Sequence, residues 1–280
     1  MIVFFHGFLF VLHTFSLSLH QQTIKSRTMK ITLLQTDIAW ARPEENMEAA
    51  EQMILSAPGA DLYILPEMWS TGFITDVMPT GNSAAKAVAW MKDMAIRTDA
   101  AICGSLAVND AGQCFNRQYF VEPDGNIATY DKHHLFQYGG EDKYYKTGNH
   151  RTVVSFRGTR FLLVTCYDLR FPVWERYQGD YDAIICVANW PESRQEVWHI
   201  LLRARAIENQ CYVIGCNRVG DDPNCHYIGH SAFIDSRGRA MAECEGETAQ
   251  TLTAEIDMES LRSFRNKFKV LNDRDEFTLK

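Results

Sequence analysis

The chain has 280 residues, 46% of them hydrophobic and 22% charged, enough to bury one large core. Its formal charge of −7 excludes the clustered Lys and Arg on which binding to nucleic-acid phosphates relies, so the expected ligand is a small molecule. Eight cysteines, at 103, 114, 166, 186, 211, 216, 225 and 244, are scattered without a disulfide framework or a Cys-x-x-Cys pair at zinc spacing, so they read as reduced thiols of the cytoplasm, seven of them filling core, with no metal or other cofactor.

Residues 1–28 begin with an apolar run, Met1 to Leu12, and reach Lys25 and Arg27 just before Met29. The run lacks a basic leader and a clear cleavage site and is short for a membrane span. It reads as an N-terminal extension outside the fold, from a reading frame that opens upstream of a natural start at Met29. Residues 29–280 then form a single domain, because no linker, repeat or low-complexity tract divides them.

Within that domain the predicted strands are Ile31 to Thr36, Leu62 to Leu65, Ala101 to Leu106, Gln118 to Val121, Phe161 to Thr165, Ala183 to Ala188, Tyr212 to Asn217, Ser231 to Ile234 and Leu252 to Ile256. Glu122 to Asn126 and Asp235 to Gly238 carry the Pro, Asp, Asn and Gly of hairpin turns. Helices are predicted over Pro43 to Ser56, Ser83 to Thr98 and Gln195 to Gln210, the last presenting Val197, Ile200, Leu201, Ala204 and Ile207 as its packing face. Strands with helices between them predict an α/β sandwich whose chemistry lies at strand ends and in the loops beyond.

Three segments join a reactive residue type to such an end: Leu65-Pro66-Glu67-Met68-Trp69, Tyr130-Asp131-Lys132-His133-His134 and Phe161-Leu162-Leu163-Val164-Thr165-Cys166-Tyr167-Asp168-Leu169-Arg170. An apolar run that stops at a thiol presents sulfur beside newly freed backbone N–H groups, a setting that favours thiolates and oxyanions. Taken alone, Cys166 is one more buried thiol, Glu67 a strand-end carboxylate and Lys132 a solvated lysine.

Together, in this order, and followed by Val187-Ala188-Asn189-Trp190-Pro191 and Arg203-Ala204-Arg205-Ala206-Ile207-Glu208-Asn209, they resemble the carbon–nitrogen hydrolases of the nitrilase superfamily from Met29 to about Ile256. The resemblance implies an αββα sandwich of two mixed β-sheets covered by helices, a homodimer, and a catalytic set of Cys166 as nucleophile, Glu67 as general base and Lys132 as transition-state stabiliser. Glu141 matches a position that orients the lysine and the substrate amide. Pro66 to Phe73, the Cys166 to Pro172 run and Asn217-Arg218-Val219-Gly220 resemble the omega-amidase branch, which implies a short 2-oxo acid amide as substrate. Such a substrate carries a carboxylate and calls for a cation or aligned N–H donors in the pocket, with Arg170 and Arg194 as candidate cations.

Tyr167, Arg170, Trp190 and Phe73 are the expected substrate-binding residues, Tyr167 through its backbone N–H. Asp168 is read as shaping the turn after the nucleophile. The pairs His133-His134 and His226-x-x-x-His230 lack partners at metal spacing. A nitrilase proper, another aliphatic amidase and an acyl-transferring relative are the alternatives, though transfer relatives are usually membrane-embedded and no apolar span follows Met29.

Overall fold

The computed structural model describes residues 28–75 and 83–279; the expected extension lies outside them apart from Thr28. The first sheet contains β1 (Met29–Gln35), β2 (Leu62–Ile64), β3 (Ala101–Asp110), β4 (Gln113–Val121), β5 (Ile127–Asp131) and β14 (Gln250–Ile256), in the order β14-β1-β2-β3-β4-β5. The second contains β6 (Val153–Phe156), β7 (Thr159–Thr165), β8 (Ala183–Val187), β9 (Tyr212–Cys216), β12 (Ala232–Ile234) and β13 (Ala240–Glu243), in the order β13-β12-β9-β8-β7-β6. A small ribbon pairs β10 (Val219–Asp221) with β11 (His226–Ile228). The helices are α1 (Pro43–Ser56), α2 (Ser83–Thr98), α3 (Pro172–Glu175), α4 (Gln195–Asn209) and α5 (Met258–Lys267).

Both sheets are mixed for the same reason. Their centres, β1-β2-β3 and β7-β8-β9, are parallel and linked by crossovers, while the flanking strands are antiparallel. Strands covered on both faces need apolar residues at every position, and side chains then alternate between two cores. On β7, Phe161 and Leu163 enter the core between the sheets, whereas Leu162 and Val164 face the helix layer beneath. Residues of α1 and α2, among them Ile54, Met91 and Met94, cover the first sheet; Trp198, Leu202 and Ala206 of α4 cover the second. The layers are therefore α, β, β and α, as expected.

Several local expectations need correction. The buried face of α4 is Trp198, Leu202, Arg205, Ala206 and Asn209; Val197 and Leu201 pack against the same core as expected, while Ile200 and Ile207 are more than half exposed. The apolar stripe missed Trp198, and the buried polar Arg205 and Asn209 belong to a face that hydropathy cannot recognise. Five cysteines are buried; Cys114, Cys166 and Cys225 are partly exposed, so core filling explains fewer of them than expected. The strands β5, β6, β10, β11 and β13 and the helices α3 and α5 were not foreseen. Most are short, and β13 is mainly exposed, which removes the alternation that signals a strand.

Candidate active site

The C-terminal ends of strands from both sheets converge on one cavity of about 440 Å³. From the first sheet, the chain leaves β2 through Leu65-Pro66 to Glu67, and leaves β5 directly into Lys132. From the second, β7 ends at Cys166, and Asn189-Trp190 follows β8. Glu67, Lys132, Cys166, Tyr167, Arg170, Trp190 and Phe73 all line the cavity. Residues some 100 positions apart thus meet only through the closure of the sandwich.

Lys132 is the hub. Its ammonium donates to Glu67 Oε1 at 2.9 Å and to the Glu141 oxygens at 2.8 and 3.1 Å, and all three side chains are wholly buried. Glu141 begins a short 3₁₀ turn over 141–143 and accepts the Phe136 backbone N–H at 2.6 Å. Glu67 Oε2 accepts the Asn189 backbone N–H at 2.8 Å, and Asn189 Nδ2 returns a bond to the Glu67 carbonyl at 2.8 Å. This reciprocal clasp joins the two sheets at the cavity floor.

Cys166 has φ +48°, a left-handed conformation that costs a non-glycine residue on the order of 1–3 kcal/mol and is retained where the surroundings over-determine it. Asp168 supplies much of that determination. Its carboxylate accepts the Thr165 N–H at 3.0 Å, the Tyr130 hydroxyl at 2.7 Å, and the His134 N–H and ring nitrogen at 2.8 and 2.9 Å. The expected turn-shaping role fits this geometry, and His133 and His134 are accounted for by it: His133 stacks on Trp174 and His134 on Phe171.

The electrostatics set protons in defined places. Burial pushes the Cys166 thiol well above its ordinary value, the Glu67 carboxylate adds to this, and Lys132 opposes it. This favours the protonated sulfur, with the Glu67 side chain beside it. Burial alone would depress the Lys132 ammonium, yet Glu141 and Glu67 outweigh it and hold the group well above the usual lysine range. Glu141 lies above the usual carboxylate range because burial prevails over the attraction of Lys132.

Arg170 and Arg194 both reach the cavity. Arg170 lies over the Trp190 ring at 5.0 Å and Arg194 over Phe136 at 5.2 Å, and neither forms an ion pair among the described residues. Stacking on aromatic faces leaves the edges of each guanidinium free to bind a carboxylate.

Sequence reasoning missed two asparagines. Asn116 Nδ2 donates to Glu67 Oε1 at 2.7 Å and to Glu141 Oε1 at 3.0 Å, so it spaces the two carboxylates. It sits inside β4, and only the register that pairs it with Ala107 brings it near the site. Asn189 was within reach, since it stands beside Trp190 in a segment already singled out; its carbonyl lies 3.9 Å from Cys166 Sγ. Trp40, Phe136, Tyr138 and the loop bearing Asp222, Asn224 and Cys225 complete the wall.

The carbon–nitrogen hydrolase family model matches residues 30–266. The chain belongs to the carbon–nitrogen hydrolase family. It is 44% identical to omega-amidase YafV of Yersinia enterocolitica, over 90% of this chain and 99% of that one. It is 35% identical to the 2-oxoglutaramate amidase of Bacillus subtilis, over 87% and 96%. A solved structure from Xanthomonas campestris, a CN-hydrolase superfamily protein with an arsenic adduct in its active site, superposes with a TM-score of 0.84 at 37% identity, covering 91% of this chain and 100% of that one. Membership identifies this chain as a hydrolase of carbon–nitrogen bonds and matches the fold expected from the sequence.

Proposed function

We propose that this carbon–nitrogen hydrolase is an omega-amidase, which releases ammonia from the terminal amide of a short 2-oxo dicarboxylic acid monoamide such as 2-oxoglutaramate or 2-oxosuccinamate. The observation that carries the reading is one cavity holding a thiol beside a buried carboxylate–ammonium cluster together with two guanidinium groups that form no ion pair among the described residues. The omega-amidase and 2-oxoglutaramate amidase relatives support the same substrate class.

In the proposed mechanism Cys166 passes its proton to Glu67 as the sulfur attacks the amide carbonyl carbon. The oxyanion is held by the Lys132 ammonium and the Tyr167 backbone N–H. Collapse breaks the C–N bond, Glu67 returns the proton to the leaving nitrogen, and ammonia departs from a thioester. Glu67 then takes a proton from water, whose oxygen attacks the thioester; sulfur leaves, is reprotonated, and a carboxylic acid is released. Glu141 and Asn116 keep Lys132 and Glu67 in register. General acid–base assistance contributes about 10²- to 10⁴-fold and an oxyanion donor about 10²- to 10³-fold. Arg170 and Arg194 hold the substrate carboxylate, while Phe73 and Trp190 pack against its carbon chain.

The test is ammonia release from 2-oxoglutaramate and from a panel of simple amides and nitriles. Turnover confined to carboxylate-bearing amides supports the reading, and nitrile turnover above amide turnover overturns it. Acyl transfer to an added amine in preference to water also counts against it. The eight unpaired thiols support a cytoplasmic setting, and no helix among the described residues is long and apolar enough to cross a membrane. We also propose a homodimer in which the exposed Val173, Ile200 and Ile207 of α3 and α4 meet their counterparts. Sedimentation of Ile200→Glu as a dimer would reject that contact.

A further inference from the structure

Away from the cavity, three side chains that sequence spacing does not connect point at one another. His199 lies on α4, His230 in the link between β11 and β12, and Glu243 ends β13. One ligating atom from each lies within 4.8 Å of the others. Glu243 Oε1 is 2.9 Å from His230 Nδ1 and 3.6 Å from His199 Nδ1. We propose that His199, His230 and Glu243 form a zinc site that ties α4 to the β12–β13 hairpin.

The distances suit the ion. Zinc holds imidazole nitrogen and carboxylate oxygen at about 2.0–2.2 Å in a tetrahedron, so adjacent ligand atoms stand roughly 3.3–3.5 Å apart. The separations of 2.9 and 3.6 Å bracket that edge. Two imidazoles and one carboxylate are a zinc donor set, with the fourth position left for water. The three side chains are 28–29% exposed and Glu243 lies on the exposed strand β13, so an ion can enter from solvent.

The surroundings hold the ligands in place. Trp198 Nε1 donates to the His230 carbonyl at 2.9 Å, fixing that backbone to the same helix that carries His199. A side chain at Gly246 would press to within 2.9 Å of His230 Nε2, so the glycine leaves room for the ring. Gln195 Nε2 lies 3.2 Å from His199 Nε2, the far nitrogen of the ring. Binding zinc through His199 Nδ1 requires this amide to turn so that its oxygen accepts Nε2–H, the orienting role an outer partner plays for a metal-bound histidine.

The test uses zinc alone, titrated calorimetrically into Cys166→Ala protein so that the catalytic thiol cannot compete. One ion should bind per chain, and the melting temperature should rise by about 5 °C when free zinc is about a hundredfold above Kd. Adding His199→Ala, His230→Ala or the shape-preserving Glu243→Gln to that background should weaken binding at least tenfold in each case, with the metal-dependent rise in melting temperature lost in parallel. No binding by the Cys166→Ala protein, or undiminished binding in any of the three double variants, overturns the proposal.

Discussion

Among the described residues, two buried cations paired with buried carboxylates serve different ends. At the cavity, Lys132 is gripped by Glu67 and Glu141. Behind the turn at Cys166, Arg205 of α4 meets Glu175 of α3 at 2.8 Å, donates to the Leu169 carbonyl and reaches Glu208. Burial pushes Glu175 well above the carboxylate range, with Arg205 opposing it, much as burial raises Glu141. The difference is what each faces. Arg205 spreads its fork over fixed protein oxygens and pins the turn, whereas the compact Lys132 ammonium looks onto the cavity that Cys166 shares. A buried charge becomes a chemical tool when one side is left open to a reacting atom.

Substitutions can break that comparison. The largest effect belongs to the thiol: Cys166→Ala should lower ammonia release by about 10⁴-fold or more while leaving the melting temperature nearly unchanged. Next come the two cations. Lys132→Met and Arg205→Met each strand a buried carboxylate and should cost about 3–5 kcal/mol in urea unfolding. Per folded molecule, however, Lys132→Met should lose about 10²- to 10³-fold in kcat, and Arg205→Met about tenfold or less. Equal losses in kcat would mean that both clusters act on the reaction, or that neither does so directly.

Smaller effects sharpen the picture of the cavity wall. Arg170→Met or Arg194→Met should raise KM for a carboxylate-bearing amide by about 10- to 100-fold, the worth of a charge-assisted hydrogen bond, and leave a neutral amide unaffected. The smallest signal is in pH. Because Cys166 is held above the ordinary thiol range, less of it is thiolate at any given pH than for a free cysteine. Its alkylation by iodoacetamide should therefore show no rise centred near the free-thiol value of about 8.5, and an inflection there would show that the thiolate forms by simple titration instead of transfer to Glu67.

Much of this architecture was legible in the residues because the central strands are covered on both faces and leave unbroken apolar runs, and because Pro43, Gly125 and Gly238 punctuate their elements with definite turn chemistry. The helices over 43–56 and 83–98 stand where expected. What escaped was whatever depends on register or exposure. The strand β5 shows Ile127 and Thr129 to solvent, and α5 is amphipathic but short and largely polar, burying only Met258 and Leu261, so little apolar surface announces either. For the site, Glu67, Lys132, Glu141 and Cys166 were readable through matched segments. Asn116 was not, since an asparagine midway along a strand resembles any other polar residue until its cross-strand neighbour is known.

The clasp between Glu67 and Asn189 has a consequence for how the enzyme would fail on heating. Glu67 and Lys132 hang from one sheet, Cys166 and Asn189 from the other, and the tilted rings of Phe120 and Phe161 meet in the layer between them with centroids 6.0 Å apart. Catalytic alignment is therefore a ruler laid across the sandwich. A loosened core, as from Phe161→Leu, should slow turnover at temperatures where circular dichroism still reports full secondary structure, because a shift of about 1 Å between the sheets is enough to cost on the order of a hundredfold in rate.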